Sequence, residues 1–367
     1  MPELISKSGF ADLFVYDIPL LDVRSPNEFN RGAFPNATNL PLLTDNERVA
    51  IGIRYKDAGQ KAAIALGYEL VSTGKKQTRL ENWQHYLVEN PTALLYCFRG
   101  GLRSSIVQQW LDGAGFSIAR IDGGYKAMRR FLINTIDKVA NPDNIITLAG
   151  KAGSGKTHLL NKLRYSVDLE GCARHRGSAF GGRVEPQPTP VNFENYISIE
   201  FLKLPFPKPN KLFLEDESRS IGTVSIPNSL HKAMNEAPLA YIEESLDSRV
   251  ETILNDYIIS NYLEYEQFAP TDAKNQFTKS LLASLDRIRR RLGDENYRHL
   301  RRIMVKALTS KTNDEAHPFH SEWIRYLLKN YYDPMYEYQL NKKLHRVIFR
   351  GDKYEFLEWV KQIEKNK

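Results

Sequence analysis

Ala93-Leu94-Leu95-Tyr96-Cys97-Phe98-Arg99-Gly100-Gly101-Leu102-Arg103-Ser104 decides how the first third of the chain is read. The short apolar run predicts a buried strand, and Ser104-Ser105-Ile106-Val107-Gln108-Gln109-Trp110-Leu111 predicts a helix after the loop. Cys97 then stands at the carboxyl end of a strand with a helix N-terminus beside it, a setting that favours an anion at sulfur. Arg99 and Arg103 add fixed positive charge, while Gly100 and Gly101 let the backbone wrap closely around whatever the sulfur carries. A thiolate cradled in this way can accept a chalcogen atom and hold the terminal atom as an anion. That nominates Cys97, Arg99 and Arg103 as catalytic residues against the bland alternative of an inert strand-end cysteine.

These residues resemble the active loop of the rhodanese family, which carries sulfur as a cysteine persulfide. Upstream, Leu21-Asp22-Val23-Arg24-Ser25-Pro26-Asn27-Glu28-Phe29 and Gly32-Ala33-Phe34-Pro35-Asn36-Ala37 resemble that family's first signature, and Ile121-Asp122-Gly123-Gly124-Tyr125 resembles its closing strand and loop. The matches fall in order, and the resemblance implies a rhodanese-like α/β domain over 1–140. Strands are expected at Leu13 to Tyr16, Pro19 to Val23, Ala93 to Tyr96 and Ser117 to Ile121, with helices between. A helix-rich stretch between Pro41 and Trp83 reads as an elaboration that covers one face of the sheet.

Asn141-Pro142-Asp143-Asn144 is a turn-forming cluster and marks a boundary. Beyond it, Ile145-Ile146-Thr147-Leu148-Ala149 is a buried-strand pattern. It runs into Gly150-Lys151-Ala152-Gly153-Ser154-Gly155-Lys156-Thr157 and then a helical His158-Leu159-Leu160. This is a G-x-x-x-x-G-K-[ST] loop in its strand–loop–helix setting. Gly150, Gly153, Ser154 and Gly155 let backbone N–H groups close around a diphosphate or triphosphate, Lys156 brings a point charge, and Thr157 can ligate Mg²⁺. The apolar run Leu212-Phe213-Leu214 ends in Glu215 and Asp216, which with Thr157 are the candidate Mg²⁺ ligands; a solvated acidic turn is the alternative. Between the two motifs, Arg174, Arg176 and Arg183 lie in a Gly/Ser-rich run that reads either as a phosphate or RNA contact or as a surface loop. Cys172 has no such loop and reads as a bystander.

From about residue 236 the pattern turns helical. Leu281, Leu282, Leu285, Ile288 and Leu292 share one face, with Arg287, Arg290 and Arg291 elsewhere. Residues 281–311 hold nine Lys/Arg against three Asp/Glu, and a Tyr-rich segment follows at Tyr331 to Tyr338. Basic helices beside aromatic side chains can hold phosphates and stack unpaired bases, and can equally be a solvated face. The divisions expected are therefore 1–140, a P-loop α/β core with a parallel sheet over 141–235, and a helical basic region over 236–367 packed on that core. The net charge of +7 permits a polyanionic partner. Two cysteines are too few for a disulfide framework, no apolar run is long enough to cross a bilayer, and Met1 to Lys7 lacks a signal-peptide layout. A cytoplasmic protein with no membrane partner is expected.

A rhodanese unit followed by a P-loop unit resembles the bacterial tRNA 2-selenouridine synthase family. The supporting stretches are the Cys97 loop, Gly150 to Thr157, Arg176-Gly177-Ser178-Ala179-Phe180-Gly181, Gln187-Pro188-Thr189, Glu215 to Gly222 and Leu292-Gly293. The resemblance implies a transferase acting at the wobble uridine of tRNAs reading Lys, Glu and Gln codons. The sulfur of 2-thiouridine is alkylated by geranyl diphosphate, and the S-geranyl group is then replaced by selenium from selenophosphate. It implies that the P-loop holds the diphosphate with Mg²⁺, that Cys97 with Arg99 and Arg103 carries or guides selenium, and that the basic residues, among them Arg174, Arg176, Arg183, Arg287, Arg290 and Arg291, contact tRNA. Two other readings of the same motifs stand beside it, an NTP-coupled tRNA sulfurtransferase and a non-catalytic, nucleotide-gated RNA-binding protein.

Overall fold

Short apolar runs, each too brief to span more than one layer, become the strands of two parallel sheets. The computed structural model describes residues 4–205 and 211–365. In the first sheet β1 (Leu4–Ile5), β2 (Leu20–Asp22), β3 (Ala37–Asn39), β4 (Leu94–Tyr96) and β5 (Ala119–Ile121) lie in the order β1-β5-β4-β2-β3, all pairs parallel. Three of the four expected strands are present. The fourth, Leu13 to Tyr16, is instead the end of a helix, Phe10–Val15. Phe10, Leu13 and Phe14 are its buried residues, and spacings of three and four put them on one helical face, which a four-residue window cannot reveal.

The elaboration consists of helices Asp45–Leu70 and Thr73–Glu89. Thr44 opens the first with a capping box, its hydroxyl accepting from the Glu47 amide at 3.3 Å and Glu47 accepting from the Thr44 amide at 2.9 Å. Gly59, at φ 79°, breaks this helix into two halves. Trp83, Tyr86 and Leu87 of the second helix join Leu21, Leu95 and Leu111 in one core and so cover a face of the sheet. The opposite face is closed by Phe10, Phe14, Met128 and Leu132 together with Ile199 of helix Pro190–Lys203.

That last helix sits inside the segment expected to be P-loop core, and the chain divides accordingly. One compact unit comprises Met1–Asp137 with Thr189–Lys203, the other Lys138–Pro188 with Leu204–Lys367. Within the first unit the returning helix is bound by polar contacts. The Ala33 amide donates to Asn192 (2.8 Å), Asn195 donates to the Ala33 carbonyl (2.8 Å), Ser198 donates to the Leu132 carbonyl (3.0 Å), and Arg129 pairs with Glu194.

The second unit is built on β6 (Ile145–Gly150), β7 (Leu212–Glu215), β10 (Leu239–Ile242) and β11 (Val347–Gly351), in the parallel order β11-β10-β6-β7; β8 (Ser220–Ile221) and β9 (Val224–Ser225) form a separate hairpin. Strands β10 and β11 come from beyond residue 236, so the helical region supplies half of the sheet instead of forming a separate layer. Its helices Ala273–Leu292, Asp294–Thr309 and Asn313–Leu327 pack through Leu281, Leu285, Ile288, Leu292, Met304 and Trp323. The face read from the sequence is the buried one, except that Leu282 is only half-buried.

Candidate functional site

Cys97 follows β4 directly and is buried, with its Sγ 3.3 Å from the Ser104 hydroxyl in the first turn of helix Leu102–Gly113. Glycine makes the loop possible. Gly124 has φ +56°, and a Cβ there would lie 2.2 Å from the Cys97 carbonyl oxygen and 2.4 Å from the Gly100 amide nitrogen. The Cys97 loop and the Gly123-Gly124 turn therefore meet backbone to backbone, joined by the Tyr125 amide donating to the Cys97 carbonyl (2.9 Å) and Lys126 to Phe98 (3.0 Å).

Of the two arginines nominated beside the sulfur, Arg99 is exposed. Arg103 is bound bidentately to Glu28 at 2.5 and 3.1 Å. Burial alone would raise the Glu28 carboxyl, but hydrogen bonds and charge from Arg103 hold it below the usual range. Arg103 thus reaches the loop as half of an ion pair. Behind it lies Arg24, 1% exposed, doubly bound to the fully buried Asp22 and stacked 3.9 Å from the Tyr125 ring centroid. This pair gives the Leu21–Phe29 signature a structural task, bracing the turn that the Cys97 loop rests on.

The second constellation surrounds the Gly150–Thr157 loop. β6 delivers Gly150, helix Lys156–Leu160 begins at Lys156, and between them Gly153 at φ +79° comes so close to the Arg249 carbonyl that a Cβ would lie 2.6 Å away. Lys156 donates to the Gly150 carbonyl at 3.1 Å, and the Thr157 hydroxyl donates to Glu215 at 2.6 Å.

Asp216, the other acid nominated for Mg²⁺, faces elsewhere. It is paired with Lys343 at 2.7 and 2.8 Å. Glu217 takes its place, because side chains two apart in an extended segment share a side and neighbours do not. Glu170, from helix Leu169–Ala173, completes a group in which one carboxylate oxygen each of Glu170, Glu215 and Glu217 lie within 4.8 Å of one another. Burial, then the charges of Glu217 and Asp168, push Glu215 up to about 8; burial first, then neighbouring acids, raises Glu170 and Glu217 as well. The Glu215 Oε2 is buried without a hydrogen-bond partner. Crowded carboxylates with an orphaned oxygen, beside a P-loop threonine, fit a hard divalent cation.

The Tyr-rich segment closes this site. Tyr336 is raised by burial and then by Glu217, and its ring lies 5.9 Å from the Lys156 ammonium. Asp333 binds Arg249 (2.8 Å), and Glu337 binds Lys151 (2.6 Å).

The nominated arginines separate into three groups. Arg176, Arg183 and Arg287 gather around His175, which is lowered by burial and then by these three charges. Arg287 also donates to the Ala179 carbonyl at 2.6 Å, tying the Arg174–Arg183 run to helix Ala273–Leu292. Buried Arg176 Nη1, Arg183 Nε and His175 Nδ1 have no hydrogen-bond partner. Arg174 instead pairs with Glu185 (2.5 Å), and Arg290 and Arg291 are exposed at the end of their helix. Cys172 is half-buried on helix Leu169–Ala173, the helix that carries Glu170, and no helix of the described residues is long and apolar enough to cross a membrane.

Residues 143–367 match the family described as the tRNA 2-selenouridine synthase AAA domain, and residues 10–130 match the rhodanese-like domain. A tRNA 2-selenouridine synthase of Shewanella oneidensis is 44% identical over 364 residues, covering 99% of this chain and 97% of that one. One of Aeromonas salmonicida is 46% identical over 360 residues, covering 98% and 97%, and one of Pseudomonas fluorescens is 44% identical over 359 residues, covering 98% of each.

Proposed function

The chain belongs to the tRNA 2-selenouridine synthase family, and we propose from that premise that it converts 2-thiouridine to 2-selenouridine at the tRNA wobble position through an S-geranyl intermediate. The observation that carries the proposal is one chain holding both a cysteine in a rhodanese loop and a P-loop beside a cluster of three carboxylates, with Glu215 buried at its centre. In the first step the uridine sulfur forms a bond to C1 of geranyl diphosphate, the C1–O bond breaks, and diphosphate leaves with the electron pair. Lys156 and the backbone N–H groups of the loop hold the diphosphate and take up its developing charge. A divalent cation held by Thr157, Glu215, Glu217 and Glu170 would add positive charge against the same oxygens.

In the second step selenium of selenophosphate bonds to C2 of the base and the bond from C2 to the geranyl sulfur breaks. Geranyl thiolate leaves and takes up a proton, and water at phosphorus releases phosphate. A thiocarbonyl sulfur is a poor leaving group, whereas a geranyl thiolate departs once C2 is attacked. Cys97 guides selenium to C2, the charge of Arg99 steadies it, and Arg103, held by Glu28, keeps the loop in place. The arginines around His175 and those at the end of helix Ala273–Leu292 contact the anticodon arm of tRNAs for Lys, Glu and Gln.

Nucleoside mass spectrometry of 2-thiouridine tRNA incubated with the protein, Mg²⁺, geranyl diphosphate and selenophosphate tests this. Lys156→Ala abolishes S-geranyl product, while Cys97→Ala accumulates it and forms no selenouridine. Equal loss of both steps in both variants refutes the division of labour. Dependence on ATP hydrolysis without any isoprenyl diphosphate points to the coupled sulfurtransferase.

A further inference from the structure

The N-terminal unit contains a cavity of about 220 Å³ that the mechanism above does not use. Its walls are Ile51 from the first half of the helix broken at Gly59, Ala63 and Ile64 from the second half, and Ile106 and Trp110 of helix Leu102–Gly113. The two halves meet closely, since a Cβ on Gly67 would lie 3.5 Å from the Ile51 Cδ1. At the rim, Tyr55, Tyr68 and Leu102 also line the cavity and are 58%, 54% and 49% exposed. Apolar surface left open around an apolar hollow points to a ligand that covers it.

We infer that this cavity seats the ten-carbon isoprenyl chain of S-geranyl tRNA, an inference that rests on the proposed S-geranyl intermediate. Size is the first argument. An apolar cavity of about 150 Å³ takes up benzene, so 220 Å³ suits a chain of roughly eight to ten carbons. Position is the second. Leu102 and Arg103, which line the cavity, begin the helix whose Ser104 hydroxyl lies 3.3 Å from the Cys97 sulfur. A chain lodged there is tethered beside the Cys97 loop, where its thioether must be displaced.

Charge is the third argument, and it selects the source of the chain. Arg103 is the lone cation among the lining residues, and Glu28 already neutralises it. The cavity lining therefore offers no free positive charge to the diphosphate of free geranyl diphosphate and suits a neutral thioether.

The test compares an anticodon stem-loop carrying S-geranyl-2-thiouridine with the same stem-loop carrying 2-thiouridine, each titrated into the full-length protein. Wild type binds the geranylated loop about tenfold or more tightly, as burial of even two methylenes supplies. Ala63→Phe fills the cavity and brings that preference close to unity, with affinity for the 2-thiouridine loop unchanged within about twofold. Ile64→Phe, at a half-buried position that tolerates bulk more readily, gives the same loss and serves if Ala63→Phe does not fold. Absence of the preference in wild type, its survival in a folded variant, or loss of geranyl diphosphate affinity in its place overturns the inference. Failure of wild type to make S-geranyl tRNA from geranyl diphosphate defeats the functional reading instead, and the stem-loop preference is scored independently of it.

Discussion

Replacing Glu215 by Gln separates the cost of the acidic cluster from its use. Glu215 is 1% exposed, and burial together with Glu217 and Asp168 lifts its carboxyl from 4.5 to about 8. The folded protein therefore binds a proton that the unfolded chain releases, and stability falls as pH rises between those two values. pH 7 lies about 2.5 units above the unfolded value of 4.5 and still below the folded one, so at about 1.4 kcal/mol per unit the penalty there is on the order of 3 kcal/mol. Gln keeps an oxygen for the Thr157 hydroxyl and carries no charge. In EDTA, Glu215→Gln should raise the melting temperature at pH 7 by roughly 6–12 °C, taking about 2–4 °C per kcal/mol for a unit of this size. The gain should shrink to under about 1 kcal/mol at pH 5 and level off above pH 8. With Mg²⁺ and diphosphate present the ranking should narrow or reverse, because ligand stabilises only the protein that binds it. Calorimetry across that pH range decides the matter. A gain that is the same at pH 5 and pH 7, or a loss at pH 7, refutes the account of the cluster.

Asp22→Ala leaves Arg24 buried with only carbonyl partners and should cost about 3–5 kcal/mol in urea unfolding; a cost under about 1 kcal/mol would show that the pair does not brace the first unit. Gly124→Ala forces a Cβ against the Cys97 carbonyl at a positive φ. It should destabilise by at least about 2 kcal/mol and abolish selenation before S-geranyl formation, read by nucleoside mass spectrometry on folded protein. The double change Arg290→Gln and Arg291→Gln, at exposed positions, should weaken tRNA binding and lower the salt slope by roughly one and a half to two, leaving the melting temperature unchanged. An unaltered salt slope would remove this helix end from the tRNA contact.

Motifs that need a fixed backbone were legible in the sequence, because their glycines and their strand–loop–helix spacing are local. The Cys97 loop and the Gly150–Thr157 loop stand where their patterns put them. What escaped was settled by partners distant in sequence. Asp216 was nominated because it ends a strand beside Glu215, yet alternation points it to Lys343, 127 residues away, and the same alternation applied to Glu217 would have found the better candidate. Glu170 sits in a five-residue helix capped by Asp168 and carries no motif at all. Helix Pro190–Lys203 reads as part of the P-loop core until its hydrogen bonds to Ala33 and Leu132 assign it to the first unit. The strand expected at Leu13 to Tyr16 failed because four apolar residues fit either period.

The segment after Asp333 explains why the P-loop site had to be read together with the end of the chain. Asp333 holds Arg249, Glu337 holds Lys151, Lys343 holds Asp216, and Arg346 donates to carbonyls of Met234 and Ala237 before the chain enters the sheet as β11. Lys156 rests on a loop carbonyl and Thr157 on Glu215. The donors that would hold a diphosphate thus have internal acceptors, and binding is an exchange of partners whose affinity is the difference between two satisfied states. The exchange must begin where the internal pair is weakest. Glu337 is largely exposed, so its hold on Lys151 is screened, whereas Thr157 donates to the buried Glu215. On the proposed reading, an arriving diphosphate would displace Glu337 from Lys151 first and free Thr157 from Glu215 last, which would make Lys151 the entry contact and Lys156 with Thr157 the final grip.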